Sequence, residues 1–400
     1  MKRKWVLPVI VISQFCCTSL WFAGNAVMGN LVADFNLADS ALGHLTSSVQ
    51  FGFIAGTLTF ALLTIADRFP PSRVFFFSAL AGSVFNLGMA LEWNSFASLM
   101  TFRFFTGFFL AGIYPVGMKI ASDYYEKGLG RSLGFLVGAL VLGTAFPHLL
   151  KGFSADIPWR IVLYITSSLA TLGGMLMYLL VPDGPYRKPR MHFDFKTSLY
   201  VFQNPRFRSA AFGYFGHMWE LYAFWAFVPF ILTTYAGLHP GTTLNVPFLS
   251  FFIIGVGGIA CVIGAYLSQL LGTKITAFHA LLLSCGCCLL SPVIFYFNSN
   301  ELLVLFLTVW GMTVIADSPL FSTLVAQNVM AESKGTALTI VNCIGFSITI
   351  LSIQLVSALI NMVNPIYVYT VLAAGPLLGL AALFEKGQQI IFWAFGAGRE

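Results

Sequence analysis

Arg103-Phe104-Phe105-Thr106-Gly107-Phe108-Phe109-Leu110-Ala111-Gly112-Ile113-Tyr114-Pro115, running on through Asp123-Tyr124 and a polar turn to Arg131 and Gly134, is the stretch that decides the fold. An echo of it lies in the second half of the chain: Gly311, Ala316, Pro319, Gln327, then a polar turn holding Lys334 and Gly335. Gly107 stands as far from Pro115 as Gly311 does from Pro319. Each stretch is an apolar helical pattern that ends in a short charged turn and restarts at a glycine. A repeat at half the chain length predicts two equivalent halves. In a membrane chain, such halves point to two bundles that rock about a shared site.

Composition places the chain in a membrane. Of its 400 residues 58% are hydrophobic and only 9% charged, and Phe alone contributes 41. That excludes an ordinary soluble domain. The net charge of +6 is scattered over short loops, so it is no nucleic-acid footprint, and it fits the positive-inside rule. All seven cysteines (Cys16, Cys17, Cys261, Cys285, Cys287, Cys288, Cys343) fall in apolar runs. They read as small packing residues rather than a disulfide frame or a metal site, and no metal or other cofactor is implied. Lys2-Arg3-Lys4 ahead of an apolar run mimics a signal peptide, but the run leads into further spans and reads as an uncleaved first helix.

Apolar windows predict twelve spans, at roughly 6–30, 42–65, 74–92, 98–122, 132–151 and 160–181, then 209–235, 245–271, 275–297, 302–326, 335–360 and 366–384. The domain organisation is therefore an N-terminal six-helix bundle over 1–181, a linker over 182–208, a C-terminal bundle over 209–385 and a tail over 386–400. The linker is rich in Pro and charge, with a short surface helix expected near 194–203. Of the 21 Lys and Arg residues only Lys151 and Arg160 fall on the outer side, with Arg103 inside a span. This asymmetry puts both termini in the cytoplasm. Short outer loops without an Asn-x-Ser/Thr sequon fit a bacterial inner membrane, and the tail, with Trp393 and Phe395, suits the membrane interface.

The motifs carry a resemblance to the major facilitator superfamily. Ala66-Asp67-Arg68-Phe69-Pro70-Pro71-Ser72-Arg73 resembles that family's loop between helices 2 and 3, with Leu63 and Pro70 where its glycines usually stand. The equivalent turn, Gly264 to Lys274, keeps the leading Gly and the closing cation but has Ser268 at the acidic position. Arg103 through Pro115 is similar to the family's fourth-helix motif, and Pro158-Trp159-Arg160 to the start of its sixth helix. The resemblance covers the whole chain. It implies an all-α membrane protein of twelve helices in two pseudo-symmetric bundles, with helices 1, 4, 7 and 10 lining a central cavity. It also implies a latch in which Asp67, supported by Arg68 and Arg73, faces the start of helix 11 near Gly335-Thr336. A helix N-terminus, with its free N–H groups, suits a carboxylate there.

Ionisable groups inside a bilayer are expensive and read as functional. Arg103, Glu220 and Asp317 fall on three of the four expected cavity helices. His217 stands one turn before Glu220 on the same helix face. Glu220 is the candidate proton carrier, with His217 tuning it; the alternative is a Glu paired permanently with Arg103 or a backbone donor. Arg103 keeps its proton, so it serves either as counter-ion to Glu220 or as a contact for an anionic substrate. Asp317, before Ser318-Pro319, either binds a cation or proton or pairs locally. Gln14, Asn25, Gln50, Asn342 and Gln354 are possible substrate contacts, though such residues more often bridge helices. Trp21, Tyr222 and Trp225 could stack on a substrate or simply pack. No phosphate loop or catalytic constellation stands out, so the chain is not read as an enzyme.

These readings converge on a monomeric secondary transporter that meets a small organic solute, protons and lipid but no nucleic acid. It is expected to take up an anionic or zwitterionic metabolite by proton symport and alternating access. The rival is a proton antiporter exporting amphiphilic or cationic compounds. A third possibility is a transport-inactive sensor or scaffold, against which the intramembrane charges argue.

Overall fold

The computed structural model describes residues 5–38, 40–125, 129–153, 158–187, 200–330 and 333–384. The basic start Lys2-Arg3-Lys4, the part of the expected surface helix up to residue 199 and the tail 386–400 lie outside the described residues.

Every regular element among the described residues is helical. Span 1 comes in three pieces, Val6–Thr18, Ala23–Ala26 and Met28–Phe35. Span 2 is Ala41–Leu62 with an added turn Ile65–Arg68, and span 3 is Pro71–Gly88. Span 4 is split into Phe96–Leu110 and Tyr114–Tyr124; spans 5 and 6 are Leu129–Gly152 and Arg160–Leu180. Spans 7, 8 and 9 are Pro205–Leu238, Val246–Leu271 and Thr273–Ile294. Span 10 is split into Asn300–Ala316 and Ser318–Gln327, span 11 is Lys334–Ile360, and span 12 runs from a 3-10 stretch Val368–Ala373 into Ala374–Leu383. Among the described residues nine helices are long and apolar enough to cross a membrane, and with the shorter or broken pieces they fill the twelve predicted windows.

Local chemistry sets the ends and the breaks. Ser95, Asn245 and Ser299 cap spans 4, 8 and 10 by accepting from the N–H of Ser98, Phe248 and Leu302. Pro115 and Pro319 cannot continue the hydrogen-bond ladder, and spans 4 and 10 both restart around them. Span 1 breaks without proline. Thr18 Oγ1 donates back to the Gln14 carbonyl at 2.8 Å and Ser19 Oγ to that of Cys16 at 2.7 Å, in competition with the helix backbone.

The repeat read from the sequence is a packing repeat. A methyl group on Gly107 would fall inside contact distance of the Val49 carbonyl of span 2. One on Gly311 would do the same to the Ile253 carbonyl of span 8. The partner helices return the contact: a Cβ on Gly257 would lie 2.8 Å from the Gly311 carbonyl, and one on Gly52 would overlap that of Phe104. Spans 2 and 4, and spans 8 and 10, are therefore backbone-to-backbone pairs related by the internal repeat.

The halves meet along spans 5 and 8, where Gly138 and Gly258 lie back to back, and along spans 2 and 11. Contacts tighten on the face that carries Lys151 and Arg160, opposite the basic face. There Gln354 Nε2 donates to Ser47 Oγ at 2.8 Å, Asn245 Nδ2 donates to the Gly152 carbonyl at 3.2 Å, and a Cβ on Gly43 would stand 2.7 Å from Ser357 Oγ. On the basic face, no bond joins Asp67 to the start of span 11 among the described residues. Asp67 bonds Lys119 of span 4 in its own half, Oδ1 to Nζ 2.8 Å, while Lys334 and Gly335 at the start of span 11 are exposed. Among the described residues, the hydrogen bonds that join the halves lie on the face of Lys151 and Arg160, while Asp67 is bonded within its own half.

Candidate functional site

Arg103, Glu220 and Asp317 are all buried, and among the described residues each bonds a different set of partners. The Arg103 guanidinium fills the break in span 1. Its Nη1 donates to the Leu20 carbonyl at 3.3 Å, and its Nη2 donates to the Trp21 carbonyl at 2.6 Å and to Asn25 Oδ1 at 3.4 Å. Asn25 Nδ2 in turn donates to Thr46 Oγ1 of span 2 at 2.8 Å. The broken helix leaves carbonyls without ladder partners, and a planar fork with several donors is suited to them. Arg103 is thus bonded to span 1, and among the described residues it makes no salt bridge to Glu220.

Glu220 turns into the C-terminal half. Oε1 accepts from Trp310 Nε1 of span 10 at 2.5 Å and Oε2 accepts from Ser284 Oγ of span 9 at 2.8 Å. A fully buried carboxyl with a donor on each oxygen ties spans 7, 9 and 10 together. Sequence reasoning missed Trp310 and Ser284. Their only signal was that a buried Glu must find donors, which does not say which donors.

His217 partners Asp317 rather than Glu220. Its Nδ1 stands 2.8 Å from Asp317 Oδ1, with both side chains 1% exposed. The approach suits an ion pair when His217 is protonated, but it lacks hydrogen-bond alignment. His217 Nε2 and Asp317 Oδ2 have no hydrogen-bond partner among the described residues. Asp317 is the single residue between the two pieces of span 10, so the proline break places a carboxyl beside span 7. Tyr214 and Phe321 rings flank His217 at 5.9 and 6.2 Å. Tyr214 donates its hydroxyl to Oδ1 of half-buried Asn342 in span 11 at 2.9 Å. About two turns beyond Tyr214, farther from the basic face, Tyr222 lies between the halves with its ring 5.6 Å from that of Trp21.

At the basic face Arg68 Nε donates to Thr64 Oγ1 at 3.2 Å, and Arg73 is exposed. Arg187, from the linker, donates to the carbonyls of Asp67 at 3.3 Å and Phe69 at 3.0 Å while pairing with Asp183. Lys119 and Arg187, read from the sequence only as inner-side charges, hold the turn in its own half.

The sequence pattern of the Major Facilitator Superfamily matches residues 10–353. The chain belongs to that superfamily. It is a multi-pass membrane transporter of small solutes and not an enzyme. Among its relatives is the cis,cis-muconate transport protein of Acinetobacter baylyi, 24% identical over 78% of this chain and 76% of that protein. Another is the 4-hydroxybenzoate transporter PcaK of the same organism, 30% identical over 45% of this chain and 38% of that one. The crystal structure of the human organic anion transporter MFSD10 superposes with a TM-score of 0.73, covering 95% of this chain and 99% of that chain at 14% identity. That of the nucleoside transporter NupG gives 0.72, covering 95% and 100% at 16% identity. At such identities these two likenesses establish the shared fold alone.

Proposed function

We propose that this superfamily member is a proton-coupled symporter that takes up a small organic anion by alternating access. In this reading it acts as a monomer in a bacterial inner membrane with both termini cytoplasmic. Its halves, 1–181 and 209–385, rock about a midplane site, and the linker 182–208 and tail 386–400 stay on the cytoplasmic side. The observation that carries the reading is the buried His217–Asp317 pair at the break in span 10. An imidazole and a carboxyl in contact can gain or lose a proton as a unit, and such a pair inside a membrane has no evident structural purpose that apolar residues would not serve. The substrate class rests on the relatives named for muconate and 4-hydroxybenzoate, both carboxylates. Carrying a proton with an anion offsets the charge that would otherwise cross the bilayer.

Asp67, Arg68, Arg73 and Gly335 form the cytoplasmic latch in this reading, and the observed Asp67–Lys119 bond is its open arrangement. Glu220, doubly hydrogen-bonded and turned from the interface between the halves, is structural. The test is flux in proteoliposomes with labelled 4-hydroxybenzoate or muconate. An inwardly directed proton gradient drives accumulation by the unaltered protein. Asp317→Asn abolishes accumulation but keeps solute exchange at zero gradient, whereas Glu220→Gln keeps both. Full gradient-driven accumulation by Asp317→Asn refutes the assignment.

A further inference from the structure

Five aromatic side chains from four spans pack together between the halves. Trp21 of span 1 stacks on Tyr222 of span 7 at 5.6 Å between ring centroids, with planes 24° apart. It also stacks on Phe346 of span 11 at 5.8 Å and 25°. Phe53 of span 2 closes on Phe346 at 4.5 Å, and Trp225 stands edge-on to Tyr222 at 5.3 Å. Spans 1 and 2 belong to one half and spans 7 and 11 to the other, so near-parallel ring faces from opposite halves lie against each other. Three polar groups accompany the stack, one of them the indole N–H of Trp21 itself, which is buried and has no hydrogen-bond partner among the described residues. The indole N–H of Trp225 and the amide of Gln50 are fully buried and have no hydrogen-bond partner among the described residues. Gln50 lies between Ser47, which is bonded to Gln354, and Phe53, which touches Phe346. Both of those partners are on span 11, so Gln50 is on the face of span 2 turned to it.

Folded proteins leave few buried donors without acceptors, and those they leave call for an explanation. We propose that this stack is the closed form of a binding slot for a planar, conjugated organic acid. Its plane enters between Trp21 and the Tyr222–Phe346 pair, and its polar groups accept from Trp225 Nε1 and the Gln50 amide. Entry requires the ring planes to part to about 7 Å, twice the ~3.5 Å carbon–carbon optimum, so a small rocking of the halves suffices. The slot selects flatness, because a puckered saturated ring of equal charge is too thick to keep both stacking contacts. It binds the carboxylate through neutral donors, since Arg103 is spent on the carbonyls of span 1. The inference rests on the organic-anion reading above and deepens it by naming the shape selected and the residues that select it.

Benzoate and cyclohexanecarboxylate separate these ideas, because they share charge and carbon count and differ in planarity. Binding of each to the purified full chain is measured by equilibrium dialysis, with uptake in proteoliposomes in parallel. The unaltered protein prefers benzoate by about tenfold or more. Trp21→Phe keeps most of that preference and Trp21→Leu brings the two acids within about twofold, while Gln50→Leu weakens both together. Should Trp21→Leu not fold, Tyr222→Leu takes its place with the same expected loss of preference. A folded Trp21→Leu or Tyr222→Leu protein that keeps the tenfold preference overturns the slot. Equal binding of both acids by the unaltered protein also overturns it and leaves the transport reading standing; a protein that neither binds nor moves any carboxylate overturns both.

Discussion

Gly107→Ala adds one methyl group where two helix backbones already touch. The new Cβ would fall inside contact distance of the Val49 carbonyl oxygen, and the neighbouring crossing at Gly52 and Phe104 is just as close, so neither helix can yield locally. Restoring an ordinary contact means moving span 4 from span 2 by about 1.5 Å, set by the ~3.5 Å carbon-to-heavy-atom optimum. Overpacking of this kind costs about 3 kcal/mol. The better helix propensity of alanine returns about 1 kcal/mol, leaving a net loss of about 2 kcal/mol. For a bundle of this size that lowers the melting temperature by about 5 °C. Gly311→Ala meets the Ile253 carbonyl in the same way and should cost a similar amount. Gly286→Ala is the control, because nothing lies within 4 Å of a Cβ placed there. The assay is thermal unfolding of the purified protein in detergent, followed by the fraction that remains monodisperse. A Gly107→Ala protein that melts within 1 °C of the Gly286→Ala control, to the resolution of such a scan, would refute the backbone-contact argument.

Arg103→Lys should lose about 2–3 kcal/mol, because an ammonium cannot reach both the Leu20 and Trp21 carbonyls in the plane of a fork. Transport of every solute should fall together, and a loss confined to anions would return Arg103 to substrate contact. Lys119→Ala should change stability by less than about 1 kcal/mol, as its bond to Asp67 is partly exposed, so any large effect would appear in transport rate rather than melting. Gly43→Cys with Ser357→Cys should cross-link under mild oxidation, because a Gly43 Cβ would stand 2.8 Å from that of Ser357, and the two helices need part by only about 1 Å to reach the ~3.8 Å of a disulfide. Cross-linking should stop solute flux and reduction should restore it. Unimpeded flux in the oxidised protein would mean that this face need not open. The seven native cysteines are buried, which keeps the background low.

Hydropathy and the positions of Gly and Pro determined the architecture from the sequence alone. Bilayer thickness fixes span length, so the twelve spans follow from apolar runs. Pro115 and Pro319 fix the breaks in spans 4 and 10 because the missing N–H acts within one turn. Gly107 and Gly311 announced two equivalent halves, and both are the points where paired helices meet. The same apolar runs placed Arg103, Glu220 and Asp317 inside spans, and all three are buried. Their partners belong to tertiary structure, because direction around a helix and contact across helices are set by packing. The break in span 1 has no proline, so the carbonyls that claim Arg103 were invisible, and Asp67 met Lys119 rather than span 11 because which face of the molecule is closed is a property of the conformation. Glu220 and His217 share a helix face in the sequence, yet Trp310 and Ser284 draw one and Asp317 the other. A buried charge is satisfied by whichever donors or acceptors the folded neighbours bring to it, and no local pattern in the chain encodes that choice.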